Sequence, residues 1–315
     1  MASLVAKFVE AGRQSRVEEL PRWKAWILAS RPRTLTAAAA PVVLGTGLAV
    51  GRDTFRLGPA LAALIGASLI QVGTNLANDY YDHLRGGDTE DRVGPVRVTQ
   101  AGIIPPKTVR NSAFLVLGAA LLLGFYLVWV GGLPIVLIGL ASLVFAIAYT
   151  GGPFPLAYHG LGDLFVFVFF GLVAVGGTFW VQALSFGPEV FLAGVGMGAL
   201  ATAILVVNNL RDIETDAWAG KRTLAVRIGR LGTKLEFGLL LTVGFVVPVL
   251  GMVWFAWSLW TLSVFAASFP LIQPIRAVMV FSSGSDPRSL IPALGRTAQA
   301  VGLYGLLMGA ALALS

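Results

Sequence analysis

Apolar runs of about twenty residues recur along nearly the whole chain, and a run of that length satisfies its backbone as a helix that crosses a bilayer or fills a large core. Nine such runs can be marked, at about 26–50, 57–78, 112–131, 133–150, 161–182, 190–210, 235–255, 257–280 and 296–314. Composition decides between bilayer and core: 56% of the 315 residues are apolar, only 12% are charged, and the mean hydropathy is +0.79, outside the range of water-soluble domains. Thirty-eight glycines and nineteen phenylalanines suit helices packed in lipid, where small residues allow close approach and aromatic rings fill gaps. The expected fold is an all-α integral membrane protein, nine transmembrane helices bundled around a central cavity.

The basic residues orient this bundle. All but Arg52 and Arg56 of the 23 lysines and arginines fall before the first run, at its start, or in the 2–3, 6–7 and 8–9 connections, which is one face of a nine-span chain. By the excess of positive charge on cytoplasmic loops, that face and the amino terminus are expected in the cytoplasm and the carboxyl terminus outside. The net charge of +7 is thus a topology signal, and no basic patch remains to support nucleic-acid binding. Residues 1–24 mix Leu4, Val5, Phe8 and Val9 with Lys7, Arg13 and Arg16, an amphipathic pattern suited to the cytoplasmic membrane surface. Residues 25–315 are expected to form a single transmembrane domain, in a bacterial cytoplasmic membrane. No run before the first span has the form of a signal-peptide core, so that span is expected to stay in the mature protein.

Two charge-dense stretches interrupt the apolar pattern, and both fall on the basic face. The first runs Asn78-Asp79-Tyr80-Tyr81-Asp82 to Asp88 after span 2; the second is Asn208-Asn209-Leu210-Arg211-Asp212, with Glu214 and Asp216, after span 6. If the helices continue into them, Asn78 and Asp82 share a face with Asp79 beside them, and Asn208, Asp212 and Asp216 form one stripe. Carboxylates so close repel unless a cation neutralises them, and a set of oxygen ligands without cysteine and with two histidines favours Mg²⁺ over zinc. Mg²⁺ commonly bridges one or two carboxylates to substrate phosphates, which predicts a phosphorylated substrate. Arg85, Arg92 and Arg97 near the first stretch, and Arg211, Lys221 and Arg222 near the second, are the cations that would hold phosphate oxygens. The alternative is a pair of solvated charged turns with internal salt bridges. A transporter would place such acids at the bilayer midplane, whereas these lie at the ends of spans. A CDP-alcohol phosphotransferase would pack its acids into one continuous motif, whereas these are divided between two loops.

The pattern Asn78-Asp79-x-x-Asp82 after span 2, with Asp212-x-x-x-Asp216 after span 6, resembles the UbiA superfamily of intramembrane prenyltransferases. Within it, Asp88-Thr89-Glu90-Asp91-Arg92-Val93-Gly94-Pro95, Tyr149-Thr150-Gly151-Gly152-Pro153 with His159-Gly160-Leu161-Gly162-Asp163, and Ala219-Gly220-Lys221-Arg222-Thr223-Leu224-Ala225-Val226-Arg227 are similar to the branch that prenylates 1,4-dihydroxy-2-naphthoate for menaquinone synthesis. The resemblance implies two Mg²⁺ ions, a polyprenyl diphosphate donor and an aromatic acceptor, 1,4-dihydroxy-2-naphthoate, with 4-hydroxybenzoate or homogentisate as alternatives. It implies that an allylic cation left by departing diphosphate is attacked by the ring carbon bearing the carboxylate, which is lost as CO₂. It places Asn78, Asp82, Asp212 and Asp216 at metal and diphosphate positions, with Asp79 in the same motif, and Arg33, Lys221 and Arg222 on the diphosphate. Asp79, Asp82, Asp212 and Asp216 are the expected catalytic acids, and Arg85, Arg92, Asn208 and Asn209, in or near the two charge-dense stretches, are further expected substrate contacts. Much of the superfamily carries a third acid four residues after Asp82, where this chain has Gly86; Asp88, two residues on, is the candidate ligand instead. Tyr149 and Asp163 flank a Gly/Pro loop and either shape an acceptor pocket or mark a turn. The aromatic run Phe165 to Phe170 reads as lipid-facing or packing more readily than as a groove for the tail. Trp180 and Gln182 read as interfacial anchors.

Overall fold

The computed structural model describes residues 21–86, 94 and 97–315, and contains only helices and turns among them. The expected amphipathic segment therefore lies almost wholly outside the described residues, as do Asp88 and Arg92. We number the helices α1 (Arg22–Ser30), α2 (Pro32–Gly51), α3 (Leu57–Leu84), α4 (Pro106–Gly131), α5 (Leu133–Ala148), α6 (Gly162–Ala183), α7 (Pro188–Arg211), α8 (Ile213–Trp218), α9 (Leu224–Phe255), α10 (Leu259–Val280) and α11 (Ile291–Ala313). Seven of them, α2, α3, α4, α6, α7, α9 and α10, are long and apolar enough to cross a membrane by length and composition; α5 is shorter, with 16 residues. The chain is a multi-pass membrane protein.

Each marked run contains a helix, but the boundaries shift where backbone chemistry intervenes. The first run breaks in two at Arg31, which adopts φ 51. The residue before a proline is pushed out of the right-handed helical region, and Pro32 opens α2. The Asn75 side-chain amide donates to the Ser30 carbonyl at 2.9 Å, satisfying an acceptor that the end of α1 would leave orphaned. The helix of the seventh run, α9, begins at Leu224, well before 235, and is interrupted at Gly229. The helix of the eighth run, α10, is a 3₁₀ helix over Leu259–Leu271 before it relaxes to an α-helix. Gln182 is 3% exposed and donates to the Thr178 carbonyl at 2.9 Å, so it is a buried packing residue and not an interfacial anchor.

Small residues set the packing. A β-carbon added to Gly47 of α2 would lie 2.1 Å from the Gly309 carbonyl oxygen of α11, so the two backbones touch where only glycine fits. The pairs α2 with α11, α7 with α9, and α3 with α4 make the most extensive contacts. Helices α2 to α7 and the first turns of α11 then enclose a central cavity of about 1050 Å³. This is the cavity expected from the sequence.

Candidate active site

Both polar stretches reach the same mouth of this cavity. Helix α3 stays helical through Leu84, so Asn78 and Asp82, one turn apart, both line it. Asp79, a third of a turn away, does not; it is 2% exposed, and the Val98 backbone N–H donates to its Oδ2 at 3.2 Å. The second stretch breaks at Asp212, between α7 and α8. The turn-spaced bonds nevertheless continue, from the Asp212 N–H to the Asn208 carbonyl at 3.1 Å and from the Asp216 N–H to the Asp212 carbonyl at 2.8 Å. The stripe of Asn208, Asp212 and Asp216 is preserved on the cavity wall, joined by Asn209.

Three acids at the mouth hold a cation each. Arg97 Nη2 donates to Asp82 Oδ2 at 2.8 Å, Arg211 clamps Asp212 through both oxygens at 2.7 and 2.6 Å, and Lys221 Nζ lies 3.5 Å from Asp216 Oδ1. Arg211 also donates to Asn208 Oδ1 at 2.9 Å, and the Thr150 hydroxyl to Asn78 Oδ1 at 2.8 Å. Asp216 Oδ2 is buried without a hydrogen-bond partner among the described residues. Burial, against the pull of Lys221 and with the push of Asp212 and Asp82, raises the Asp216 carboxyl from its ordinary 3.8 to about 6. Such a carboxylate is short of positive charge.

Of the other expected residues, Arg33, Lys221 and Tyr149 line the cavity. Arg85 turns away to donate to the Thr150 carbonyl at 3.2 Å and to the Gly152 carbonyl, and Arg222 is exposed and off the cavity. Tyr158 escaped the sequence reading. Its hydroxyl donates to Asp82 Oδ1 at 3.0 Å, its ring lies 5.5 Å from the Arg85 guanidinium and 5.7 Å from the Lys221 ammonium, and its carbonyl accepts from the Arg222 N–H at 3.1 Å. It ties the 4–5 connection to the 6–7 connection, a long-range role that no local pattern announces.

Below the mouth the lining turns apolar, and here one expectation is reversed. Phe165, Phe169 and Phe170 face the cavity, with Phe165 and Phe169 stacked at 5.9 Å and Phe145 tilted against Phe165 at 4.6 Å. A π-helical stretch over Phe167–Val173 follows Phe165 and widens the turn there, which shifts the register of Phe169 and Phe170.

Among the described residues no three acidic or histidine side chains converge into a ready-made metal cage. The donor set still suits Mg²⁺, because Asp216, with one oxygen unpartnered among the described residues, lines the cavity together with Asp82, Asp212, Asn78, Asn208 and Asn209, and because Mg²⁺ takes its remaining ligands from water and phosphate.

A helical membrane protein with a charged mouth over a deep apolar cavity has the form of an enzyme for amphiphiles with an anionic head. Residues 38–291 match the UbiA prenyltransferase family, and the chain belongs to that family. It is 40% identical over 288 residues to a 1,4-dihydroxy-2-naphthoate octaprenyltransferase of Mycobacterium tuberculosis, covering 91% of this chain and 96% of that protein. It is 37% identical over 296 residues to the protein of the same name from Escherichia coli, covering 92% and 95%. A solved UbiA homolog from Archaeoglobus fulgidus, bound to GPP and Mg²⁺, superposes with a TM-score of 0.59 at 16% identity, over 90% of this chain and 99% of that one, a likeness of fold.

Proposed function

We propose that the chain transfers a polyprenyl group from polyprenyl diphosphate to 1,4-dihydroxy-2-naphthoate, releasing diphosphate and CO₂ and giving demethylmenaquinol. The observation that carries this reading is the meeting of two acid-and-amide stretches, from α3 and α7–α8, over one apolar cavity. The names of the two octaprenyltransferases, which match nearly end to end, support the acceptor. Residues 25–315 act as one unit of nine spans, with the amino terminus and cavity mouth in the cytoplasm, the carboxyl terminus outside, and a bacterial cytoplasmic membrane as the host.

The head of the donor sits at the mouth. Arg33 and Lys221 face it directly, and Arg97 and Arg211, held on Asp82 and Asp212, supply further positive charge to diphosphate oxygens. Asp82, Asp212 and Asp216, with Asn78, Asn208 and Asn209 between them, would hold Mg²⁺; Asp88 and Arg92 stay candidates on the sequence pattern alone, and Asp79, Arg85 and Arg222, which do not line the cavity, would act on the site through their neighbours. When bound, the metal supplies positive charge that stabilises diphosphate as it leaves. The prenyl tail lies among the apolar walls, which keep water from the allylic carbon. The faces of Phe145, Phe165 and Phe169 offer π-density to that carbon as it becomes positive.

Purified protein given a polyprenyl diphosphate and 1,4-dihydroxy-2-naphthoate is expected to release CO₂ and diphosphate in equal amounts, to stop in EDTA and to resume with Mg²⁺. Full turnover in EDTA removes the metal from the scheme. Preference for 4-hydroxybenzoate or homogentisate in the same assay overturns the acceptor.

A further inference from the structure

The cavity holds a fourth carboxylate that the diphosphate chemistry does not use. Asp163, in the first turn of α6, is 6% exposed, lines the cavity, and has neither oxygen hydrogen-bonded to any other residue among those described. Among the described residues it makes no salt bridge, in contrast to Asp82, Asp212 and Asp216. A buried carboxylate left without donor or cation carries the full cost of desolvation, so it awaits a donor that arrives with a ligand. Tyr149 lies beside it: a β-carbon built on Gly162 would stand 3.0 Å from the Tyr149 hydroxyl. A phenol ordinarily holds its proton at neutral pH, so Tyr149 is a hydrogen-bond donor beside the carboxylate.

We propose that Asp163 is the catalytic base of the acceptor half-site, accepting the proton of the ring hydroxyl ortho to the attacked carbon. The assignment rests on the reading of the chain as a prenyltransferase of hydroxylated aromatic acids. Proton transfer to Asp163 pushes the hydroxyl's electron pair into the ring, and the ortho carbon forms its bond to the prenyl carbon as that carbon's bond to diphosphate oxygen breaks. The ring is then a ketone with the carboxylate on the adjacent quaternary carbon. The bond to the carboxylate breaks, CO₂ leaves, its electron pair restores the aromatic ring, and Asp163 returns the proton to the ring oxygen. The proton is borrowed and repaid, and no oxidant or further reactant is needed. Tyr149 is left to donate to the acceptor carboxylate or to Asp163 itself, and so to fix the ring in place.

The test is Asp163→Asn, which preserves shape and removes the base, assayed in detergent with wild-type protein as the control for the acceptor itself. With 1,4-dihydroxy-2-naphthoate, kcat is expected to fall about 10²- to 10⁴-fold while the KM for the donor is unchanged. Acceptors with electron-withdrawing ring substituents, whose hydroxyl is already largely ionised at the assay pH, should lose far less. Asp163→Glu should recover part of the rate. A loss below about threefold, or an equal loss with acidic and ordinary acceptors, overturns the assignment and points to a packing role. If wild-type protein refuses the naphthoate but prenylates another hydroxylated aromatic, the acceptor reading has failed; the same comparison on that acceptor then decides the role of Asp163.

Discussion

Asp216, proposed above as a metal ligand, illustrates how a residue can be placed for a reaction at the expense of the fold. Its carboxyl is raised from 3.8 to about 6, chiefly by burial. A carboxyl that binds its proton more tightly in the folded state than in the unfolded one contributes stability that is lost as pH rises from the unfolded value to the folded one. Above pH 6 the charged Asp216 is therefore a cost to the fold, and Asp216→Asn is expected to raise the thermal midpoint there while cutting turnover by about 10²-fold or more. Below pH 3.8, where both states hold the proton, the stability gain should vanish. Thermal unfolding of both proteins without Mg²⁺ across that range is the measurement; a lower midpoint for the variant above pH 6 contradicts it. The acids were legible at this scale because a carboxylate at the end of an apolar run needs a reason to be there. Which acid faces the cavity was not, since Asp79 and Asp82 look alike in the sequence and differ only in the side of α3 they leave from.

At the scale of the element, the π-helical stretch of α6 is the feature that composes the cavity wall. It is held against α7 at Gly171, where an added β-carbon would lie 2.5 Å from the Gly194 carbonyl oxygen and 2.6 Å from the Gly198 Cα. Backbone atoms cannot give way as a side-chain tip can, so Gly171→Ala should push α6 off α7 and destabilise the protein by about 1–3 kcal/mol. Turnover should fall as well, since α7 carries Asn208 and Arg211. Gly118 of α4 is the control: nothing lies within 4 Å of its added β-carbon, and Gly118→Ala should be neutral or mildly stabilising. Equal midpoints for the two variants in a thermal melt would remove the close contact from the account. Helix existence followed from run length, yet the break at Arg31 and the register shift at Phe167 did not, because both depend on how a helix meets its neighbours.

For the whole molecule, the depth of the cavity sets what tail it can hold. Gly124 of α4 lines it and has open space where a side chain would point. Gly124→Phe should plug the apolar end, leaving turnover of short donors such as geranyl diphosphate intact and lowering that of long polyprenyl diphosphates. A panel of donors of rising length gives the cut-off; an unchanged profile would place the tail elsewhere.

The sequence by itself determined the membrane, the helices and the two polar stretches, because hydropathy and charge are properties of residues in a known solvent. It also carried the family likeness that named the donor and the acceptor. Only the tertiary structure decided that Phe165 and Phe169 face inward, that Tyr158 bridges two loops and that Asp163, without a hydrogen-bond partner among the described residues, lines the cavity. Those facts depend on rotation and contact between segments far apart in the chain, and a helix can turn about its axis without altering any residue that composes it.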